Sequence, residues 1–139
     1  MPELPLTGHC LCGAVAYEIS EPLENAGYCH CTRCQRRTGT AASAQARIPR
    51  GALTITSGED AIRAYDPGGG GFEKLFCSLC GSALFSRNPQ DRGMMSVRLG
   101  GLDSDPGVTM EWRQFLNYSA PWEAVPDDGV PRYPESRHA

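Results

Sequence analysis

The sequence predicts a small, mostly β protein. Short stretches in which apolar and polar residues alternate recur along the 139 residues, and such alternation is typical of strands that bury one face. Glycine (16 residues) and proline (11 residues) are frequent, so many turns should join these strands. The chain is long enough for one hydrophobic core but not for two. We therefore expect residues 1–139 to form a single domain.

The first predicted strand shows the alternation most clearly. Within residues 14–20, the side chains of Val15, Tyr17 and Ile19 share one face, as they would in a half-buried strand. Residues 21–25, with Pro22 in their middle, should break this strand. By the same pattern, further strands are predicted at 42–48, 53–56, 61–65, 72–76, 83–86, 94–99 and 111–118.

The connecting segments carry their own predictions. A helical turn is expected over 34–38, with Gly39 ending it. The four glycines within 66–71 predict a flexible hairpin connection; a phosphate-binding loop is disfavoured because neither the lysine nor the helix of a P-loop follows. From Ala120 onward four prolines predict an irregular tail, with Trp122 and Tyr133 packing it over the sheet.

Composition and charge exclude several classes of function. The formal net charge of −3 offers no general field for binding nucleic acid. No apolar run approaches the 18 or so residues of a membrane span, and the acidic N-terminus lacks the basic and apolar regions of a signal peptide. These features predict a cytoplasmic protein without a nucleic-acid or membrane partner; they do not specify an oligomeric state. Cytoplasmic thiols stay reduced, and clustered cysteines there usually bind metal.

The seven cysteines fall into two sets. A disulfide scaffold is disfavoured by the odd number and because thiols two or three positions apart bridge only with strain. Two distant pairs flanked by glycines, C-x-C and C-x-x-C, suit a closed tetrahedral zinc site of zinc-ribbon type. This structural site is predicted at Cys10, Cys12, Cys77 and Cys80. The other interpretation is that these four are separately buried small side chains.

The remaining thiols, Cys29, Cys31 and Cys34, describe a second zinc site with one ligand missing. In an open site, water or a substrate atom completes the coordination, and a thiolate suits zinc well. Other interpretations stay open: His30 or His9 closes the site, the cysteines bind no metal, or two of them form a disulfide. In an extended backbone, His30 should point away from the two flanking thiols.

Basic and aromatic side chains provide weaker candidates. Arg33, Arg36 and Arg37 follow the second thiol group, where they would hold a substrate carboxylate through their forked donors or simply form a solvated surface. Aromatic residues near the end of the chain are expected in the core or in the wall of a cleft: Trp112, Phe115, Tyr118 and Trp122.

With these residues identified, the chain resembles the family of glutathione-dependent formaldehyde-activating enzymes, which also includes centromere protein V. The shared pattern runs G-x-C-x-C-G-x-V-x-Y from Gly8, C-H-C-x-x-C-x-R-R-x-G from Cys29 and F-C-x-x-C-G-S from Phe76. It continues as L-G-x-L-D from Leu99 and A-P-W from Ala120.

The chain departs from the usual pattern of the family at two places. Gln35 stands where family members usually have a basic residue directly after the third cysteine. In addition, no histidine precedes the A-P-W stretch between Glu111 and Ser119.

The resemblance implies a tent-like, zinc-stabilised β-sheet fold with two zinc ions per chain. It implies structural ligands at the four cysteines named above and the second site at the other three. The function it implies is of carbon–sulfur lyase type, as in S-(hydroxymethyl)glutathione synthase: a thiol such as glutathione adds to formaldehyde or a related small aldehyde. The alternative function is a non-catalytic, zinc-stabilised binding module.

Overall fold

The computed structural model describes residues 2–138, which form ten strands, one short α-helix and three 3-10 turns. The strands are β1 (Leu6–His9), β2 (Ala16–Ile19), β3 (Glu24–Cys29), β4 (Ser43–Ile48), β5 (Leu53–Ser57), β6 (Ile62–Tyr65), β7 (Glu73–Cys77), β8 (Ala83–Asn88), β9 (Asp91–Arg98) and β10 (Trp112–Gln114). The helix α1 spans Thr32–Thr38, and the 3-10 turns span Glu59–Ala61, Leu99–Gly101 and Leu116–Tyr118. No helix in the described part of the chain is long and apolar enough to cross a membrane.

The strands form two sheets. The smaller sheet has the order β1-β2-β5, and the larger has the order β10-β3-β4-β9-β8-β7-β6. All neighbouring strands are antiparallel except β10 and β3, which run parallel with Trp112 opposite Gly27. The hairpin β6–β7 encloses the glycine-rich segment 66–71, as predicted. The mostly β prediction is therefore confirmed.

The main hydrophobic core contains side chains from both sheets. Its buried members are Leu6, Cys10, Val15, Tyr17, Ile19, Ile48, Ala52, Leu75, Cys77, Leu84, Phe85 and Val97. At its centre the rings of Tyr17 and Phe85 meet edge to face, with centroids 4.9 Å apart. The predicted inward face of β2 is confirmed, because Val15, Tyr17 and Ile19 are all completely or almost completely buried.

A second, smaller cluster lies apart from the main core. It consists of Cys29, Cys34 and Trp112, with Cys31 and Phe115 packed against it. Three of its members are the predicted open-site thiols, so this cluster places them beside the β10 edge of the large sheet.

Several predictions of local structure need correction. Residues 6–9 form β1, for which no strand was expected. The predicted break after β2 is present, since β2 ends at Ile19, but β3 (Glu24–Cys29) begins within residues 21–25 and includes Asn25, which has a left-handed φ of 51°. The strand predicted over 111–118 ends at Gln114, because Phe115 also adopts a left-handed conformation and a 3-10 turn follows. Pairing with strands distant in sequence overrides local propensity at these places.

The tail is irregular as predicted, but it is anchored differently. Trp122 is 69% exposed and Tyr133 is 36% exposed, so the prediction that both pack the tail over the sheet is wrong for Trp122. Instead the backbone of the tail runs beside β10. The Arg113 N–H donates to the Pro131 carbonyl, and the Tyr133 N–H donates to the Arg113 carbonyl, each over 2.8 Å.

Candidate metal centres and the cavity beside them

The structure brings the two distant cysteine pairs together. Cys10 and Cys12 lie in the turn after β1, whereas Cys77 ends β7 and Cys80 lies in the turn that follows. All four sulfur atoms lie within 4.8 Å of one another. The Cys10–Cys12 sulfur separation is 3.6 Å and the Cys12–Cys77 separation is 3.9 Å. Four sulfurs bound tetrahedrally at about 2.3 Å would lie roughly 3.8 Å apart, so this group fits zinc.

The two turns that present these thiols share one backbone geometry. Gly13 and Gly81 each have a φ of +80°, a conformation that glycine adopts without strain. The Gly13 N–H donates to the Cys10 carbonyl at 3.0 Å, and the Gly81 N–H donates to the Cys77 carbonyl at 2.8 Å. The Val15 N–H points at the Cys10 sulfur, 3.3 Å away. Each turn thus wraps around the position that a metal ion would occupy.

Hydrogen bonding also prepares Cys80 to hold a cation. The Ser82 hydroxyl lies 3.1 Å from the Cys80 sulfur, and this contact, together with backbone N–H groups, lowers the pKa of Cys80 to about 5. The deprotonated thiolate is the form that binds metal. Ser82 also accepts the Leu11 N–H at 2.9 Å, which joins the two turns directly.

The three remaining thiols form a second group. Cys29 ends β3, Cys31 caps the N-terminus of α1, and Cys34 lies in its first turn with its N–H 3.4 Å from the Cys31 sulfur. Their sulfur atoms also lie within 4.8 Å of one another. Hydrogen bonds from the other two thiols, Cys29 foremost, lower the pKa of Cys34. The helix ends at Thr38 with Gly39 as its C-cap, whose φ is +68°, as the sequence predicted, but it begins at Thr32, two residues before the predicted start.

Neither candidate histidine joins a thiol group in the described structure. His30 is buried and points away from its cysteine neighbours, with Nε2 3.2 Å from Nη1 of Arg113. Its ring nitrogen must accept this bond, because the guanidinium can only donate. His9 lies near Asp103, with Nδ1 and a carboxylate oxygen 2.6 Å apart. All seven cysteines are free thiols, so the disulfide interpretation has no support.

The three-thiol group opens onto a cavity of about 480 Å³, whereas the four-thiol group does not line it. Four aromatic side chains contribute to the wall: Phe72, Trp112, Phe115 and Tyr118. Five basic side chains also line it: Arg33, Arg47, Lys74, Arg98 and Arg137. No aspartate or glutamate of residues 2–138 contributes to the lining. A cavity with this charge favours anionic ligands.

Two of the basic groups lie close to the thiols. Arg98 is only 7% exposed, donates to the Gln45 side chain, and leaves its Nε without a partner. Burial lowers the pKa of Lys74 and of Arg98, and negative charge on Cys34 opposes this effect at both. Lys74 and Arg98 therefore balance charge on the thiol group.

Only one of the predicted arginines reaches the cavity. Arg33 is among the lining residues, whereas Arg36 and Arg37 are not. The guanidinium of Arg37 lies over the Phe76 ring, 5.6 Å from its centroid. Of the predicted aromatic residues, Trp112, Phe115 and Tyr118 form cleft wall as expected, whereas Trp122 does not.

Sequence reasoning missed the other four basic residues, Arg47, Lys74, Arg98 and Arg137. The alternation in β4 places Arg47 on the face opposite Ala46 and Ile48, which was a usable signal. Which faces share a cavity depends on strand order, and that order is a tertiary property. The segment around Arg137 lacked any periodic pattern at all.

The tail completes the cavity. Ser136, Arg137 and His138 contribute to its lining. The Phe115 N–H donates to the Glu135 carbonyl at 3.0 Å, and the Tyr118 hydroxyl donates to the Glu135 carboxylate at 2.9 Å. These bonds hold the last described residues against β10 and the turn that follows it.

Comparison with known proteins agrees with this architecture. The family model described as "Glutathione-dependent formaldehyde-activating enzyme" matches residues 5–117. A crystal structure of a Rhodobacter sphaeroides protein is similar, with 26% sequence identity, a TM-score of 0.57, and coverage of 91% of this chain and 98% of that one. Comparison with curated proteins gave no match. The family match ends before the tail that completes the cavity.

Proposed function

The chain belongs to the glutathione-dependent formaldehyde-activating enzyme family, and from this premise we propose that it adds a thiol such as glutathione to formaldehyde or a related small aldehyde. One observation carries the proposal: three clustered thiols line a cavity whose charged residues, within 2–138, are all basic. Glutathione brings a thiol and two carboxylates, which match the thiol group and the basic lining respectively.

We assign two zinc ions to the chain. Cys10, Cys12, Cys77 and Cys80 would hold a closed structural site, and Cys29, Cys31 and Cys34 would hold a second site with one position left for substrate. Zinc bound at the second site would lower the pKa of a substrate thiol so that its thiolate forms at neutral pH. Reduced thiols are needed for both sites, so we place the protein in the cytoplasm.

Side chains of the cavity would assist the formation of the carbon–sulfur bond. As the thiolate sulfur attacks the carbonyl carbon, a carbon–sulfur bond forms and the carbonyl π electrons move to the oxygen. That oxygen takes up the proton that the thiol gave up, so the product is a hydroxymethyl thioether. Lys74 and Arg98 line the same cavity as the three thiols and would stabilise the negative charge as it passes from the sulfur to the carbonyl oxygen.

The substrate carboxylates would bind elsewhere in the basic lining. Of the three arginines that the sequence suggested for this role, Arg33 lines the cavity and would bind a carboxylate there. Arg36 and Arg37 lie outside the cavity and have no part in the proposal. The aromatic wall would limit the entry of water, which strengthens each charge interaction inside.

The test is to measure turnover on the zinc-loaded protein. Exchange spectroscopy by NMR would follow the formation of S-hydroxymethylglutathione from glutathione and formaldehyde. We expect a rate above the uncatalysed one, and we expect Cys34→Ser to return it close to that background. Arg63→Ala is a matched control, because Arg63 is exposed, lies on the edge strand β6 and does not line the cavity. A background rate for the wild-type protein would contradict the proposal.

Cobalt substitution separates the enzyme from a non-catalytic binding module. If the second site has a position for substrate, added glutathione should strengthen the thiolate–cobalt absorption, and Cys34→Ser should remove this response. A binding module with closed metal sites would show no change. An unaltered spectrum in the wild-type protein would therefore count against thiol binding at the metal.

A further inference from the structure

The basic residues of the cavity divide into two groups with different electrostatic surroundings. Lys74 and Arg98 face the three thiols, whose negative charge supports their protonated forms. Arg47 and Arg137 line the same cavity, where burial foremost, and then the positive charge of Arg47, lower the pKa of Arg137. Glu111 partly offsets this repulsion, but within residues 2–138 it makes no ion pair with either guanidinium.

Arg137 is held in a defined position while its charged end stays available. Its backbone N–H lies 3.2 Å from the Gln114 side-chain oxygen, which accepts the bond. Its guanidinium stacks on the Trp112 ring, 4.6 Å from the centroid. The part of the chain that the structure describes provides no hydrogen-bond acceptor for this guanidinium. A guanidinium that lies over an aromatic ring still presents its N–H groups in its own plane, where an anion can reach them.

Arg47 lies on β4, which is separated from β10 only by β3 in the large sheet. It is half-buried, and its Nε has no partner and almost no contact with solvent. No acidic side chain among residues 2–138 pairs with it. A buried donor without an acceptor is costly, so this position favours a ligand that supplies one.

We propose that Arg47 and Arg137 form an anion subsite that holds a carboxylate of the thiol substrate. An anion between them relieves the repulsion of two like charges and provides acceptors for their donors. The subsite lies in the same cavity as the three thiols, so one ligand can reach both. This inference rests on the proposed function, because it assigns the end of the thiol substrate that lies away from the sulfur.

The location of Arg137 gives the subsite a role in specificity. Arg137 lies outside residues 5–117, the part of the chain that matches the family model, whereas Arg47 lies within it. The tail therefore adds half of the anion subsite to a cavity that the matched region builds. Thiols without a carboxylate should gain nothing from it.

The experiment measures binding by calorimetry with S-methylglutathione, whose blocked sulfur cannot form a thiolate. S-methylcysteamine, which has no carboxylate, is the comparison ligand. We expect Arg137→Ala and Arg47→Ala each to weaken S-methylglutathione binding about tenfold or more, the effect of a lost charge-assisted hydrogen bond. Arg137→Lys should recover part of the affinity, since it keeps the charge but loses the fork. Arg63→Ala, which removes an arginine outside the cavity, should bind as the wild type does.

The outcomes are distinct. Weaker S-methylglutathione binding in both alanine variants, with S-methylcysteamine binding unchanged, supports the subsite even if the protein proves inactive toward formaldehyde. Equal affinity of Arg137→Ala and wild type for S-methylglutathione overturns it, as does an equal loss for both ligands. Absence of S-methylglutathione binding to the wild-type protein also overturns it, while the turnover assay decides on the proposed function separately. Zinc content and thermal unfolding of each variant verify that it is folded.

Discussion

At the scale of single residues, Trp112 connects the fold to the cavity. It is 5% exposed, packs against Cys29 and Cys34, and donates from Nε1 to the Asn25 carbonyl at 3.1 Å. Its ring lies directly over Gly27, its neighbour in the parallel β10–β3 pairing. Because Gly27 has no side chain, the Trp112 ring can pack on the sheet, contact Cys29 and Cys34, and line the cavity.

Gly27→Ala should displace this ring. A Cβ at position 27 would lie 2.0 Å from Cδ2 of Trp112, far inside van der Waals contact. We expect the free energy of unfolding to fall by about 1–3 kcal/mol, the usual cost of overpacking, as measured by urea titration. Trp112 fluorescence should shift as well, and a Trp122→Phe background would make that signal specific.

Gly100→Ala is the matched control, because a Cβ there meets nothing within 4 Å and the φ of Gly100 is not in the left-handed region. Equal stability of the two variants would show that the ring moves aside without cost.

At the scale of secondary-structure elements, β10 and the tail form one unit. The tail pairs in parallel with β10 through Arg113 and Arg132. The buried guanidinium of Arg113 also lies over the Tyr28 ring, and its Nη2 donates a hydrogen bond to the Asp128 carboxylate at 2.8 Å. The tail is thus anchored to β10 shortly before the residues that reach the cavity, Ser136, Arg137 and His138.

Asp128→Asn should loosen this anchor. The Arg113 guanidinium holds the pKa of Asp128 below its usual value, so the carboxylate stabilises the tail at any pH above the unfolded pKa of about 3.9. This contribution is lost as the pH falls through the lower pKa of the folded state. In the wild type, hydrogen exchange of the Tyr133 amide should therefore accelerate only in acid, relative to the core amide of Val97.

In Asp128→Asn, the Tyr133 amide should exchange faster already at neutral pH and show no such acid transition. Asp127→Asn alters a neighbouring exposed carboxylate that makes no ion pair in the described structure, and it should behave as the wild type. The same exchange rate in all three proteins would show that other contacts hold the tail.

At the scale of the whole molecule, the four-thiol group joins the two sheets. One cysteine pair extends from β1 of the small sheet and the other from β7 of the large sheet. Cys12 and Cys77 are 65 positions apart in the chain, with sulfurs 3.9 Å apart. A metal ion here would close a long loop, and its binding energy would add to folding energy. The three-thiol group, in contrast, spans a single local segment.

Loss of one ligand should therefore have different effects at the two sites. Cys12→Ser should reduce zinc content by one ion and lower the free energy of unfolding by several kcal/mol, similar to losing a long-range cross-link of about 2–5 kcal/mol. Cys12 is exposed, so no loss of core packing confuses the result. Cys31→Ser should also remove one zinc, but with a much smaller effect on unfolding. Metal analysis and urea titration measure both, and a reversed order of stabilities would contradict the assignment.

Several structural features of this protein follow from local sequence alone. The alternation of Val15, Tyr17 and Ile19 determined which face of β2 is buried, because side chains in a strand alternate whatever the partner strand is. Cysteine spacing determined the division into four and three thiols, because a C-x-x-C-G turn folds around a cation from its own backbone geometry. Gly39 marked the end of α1 for a similarly local reason.

Only the tertiary structure decided the rest. β3 contains Asn25 and Gly27, poor strand residues, and it exists because β4 and β10 supply its hydrogen bonds. Arg47, Lys74, Arg98 and Arg137 come from three strands and the tail, and they share a cavity because of strand order and the path of the tail. The period of a strand tells which face a side chain occupies, but not which other faces it meets. The thiols could therefore be located from the sequence alone, whereas the charge surrounding them depended on the fold.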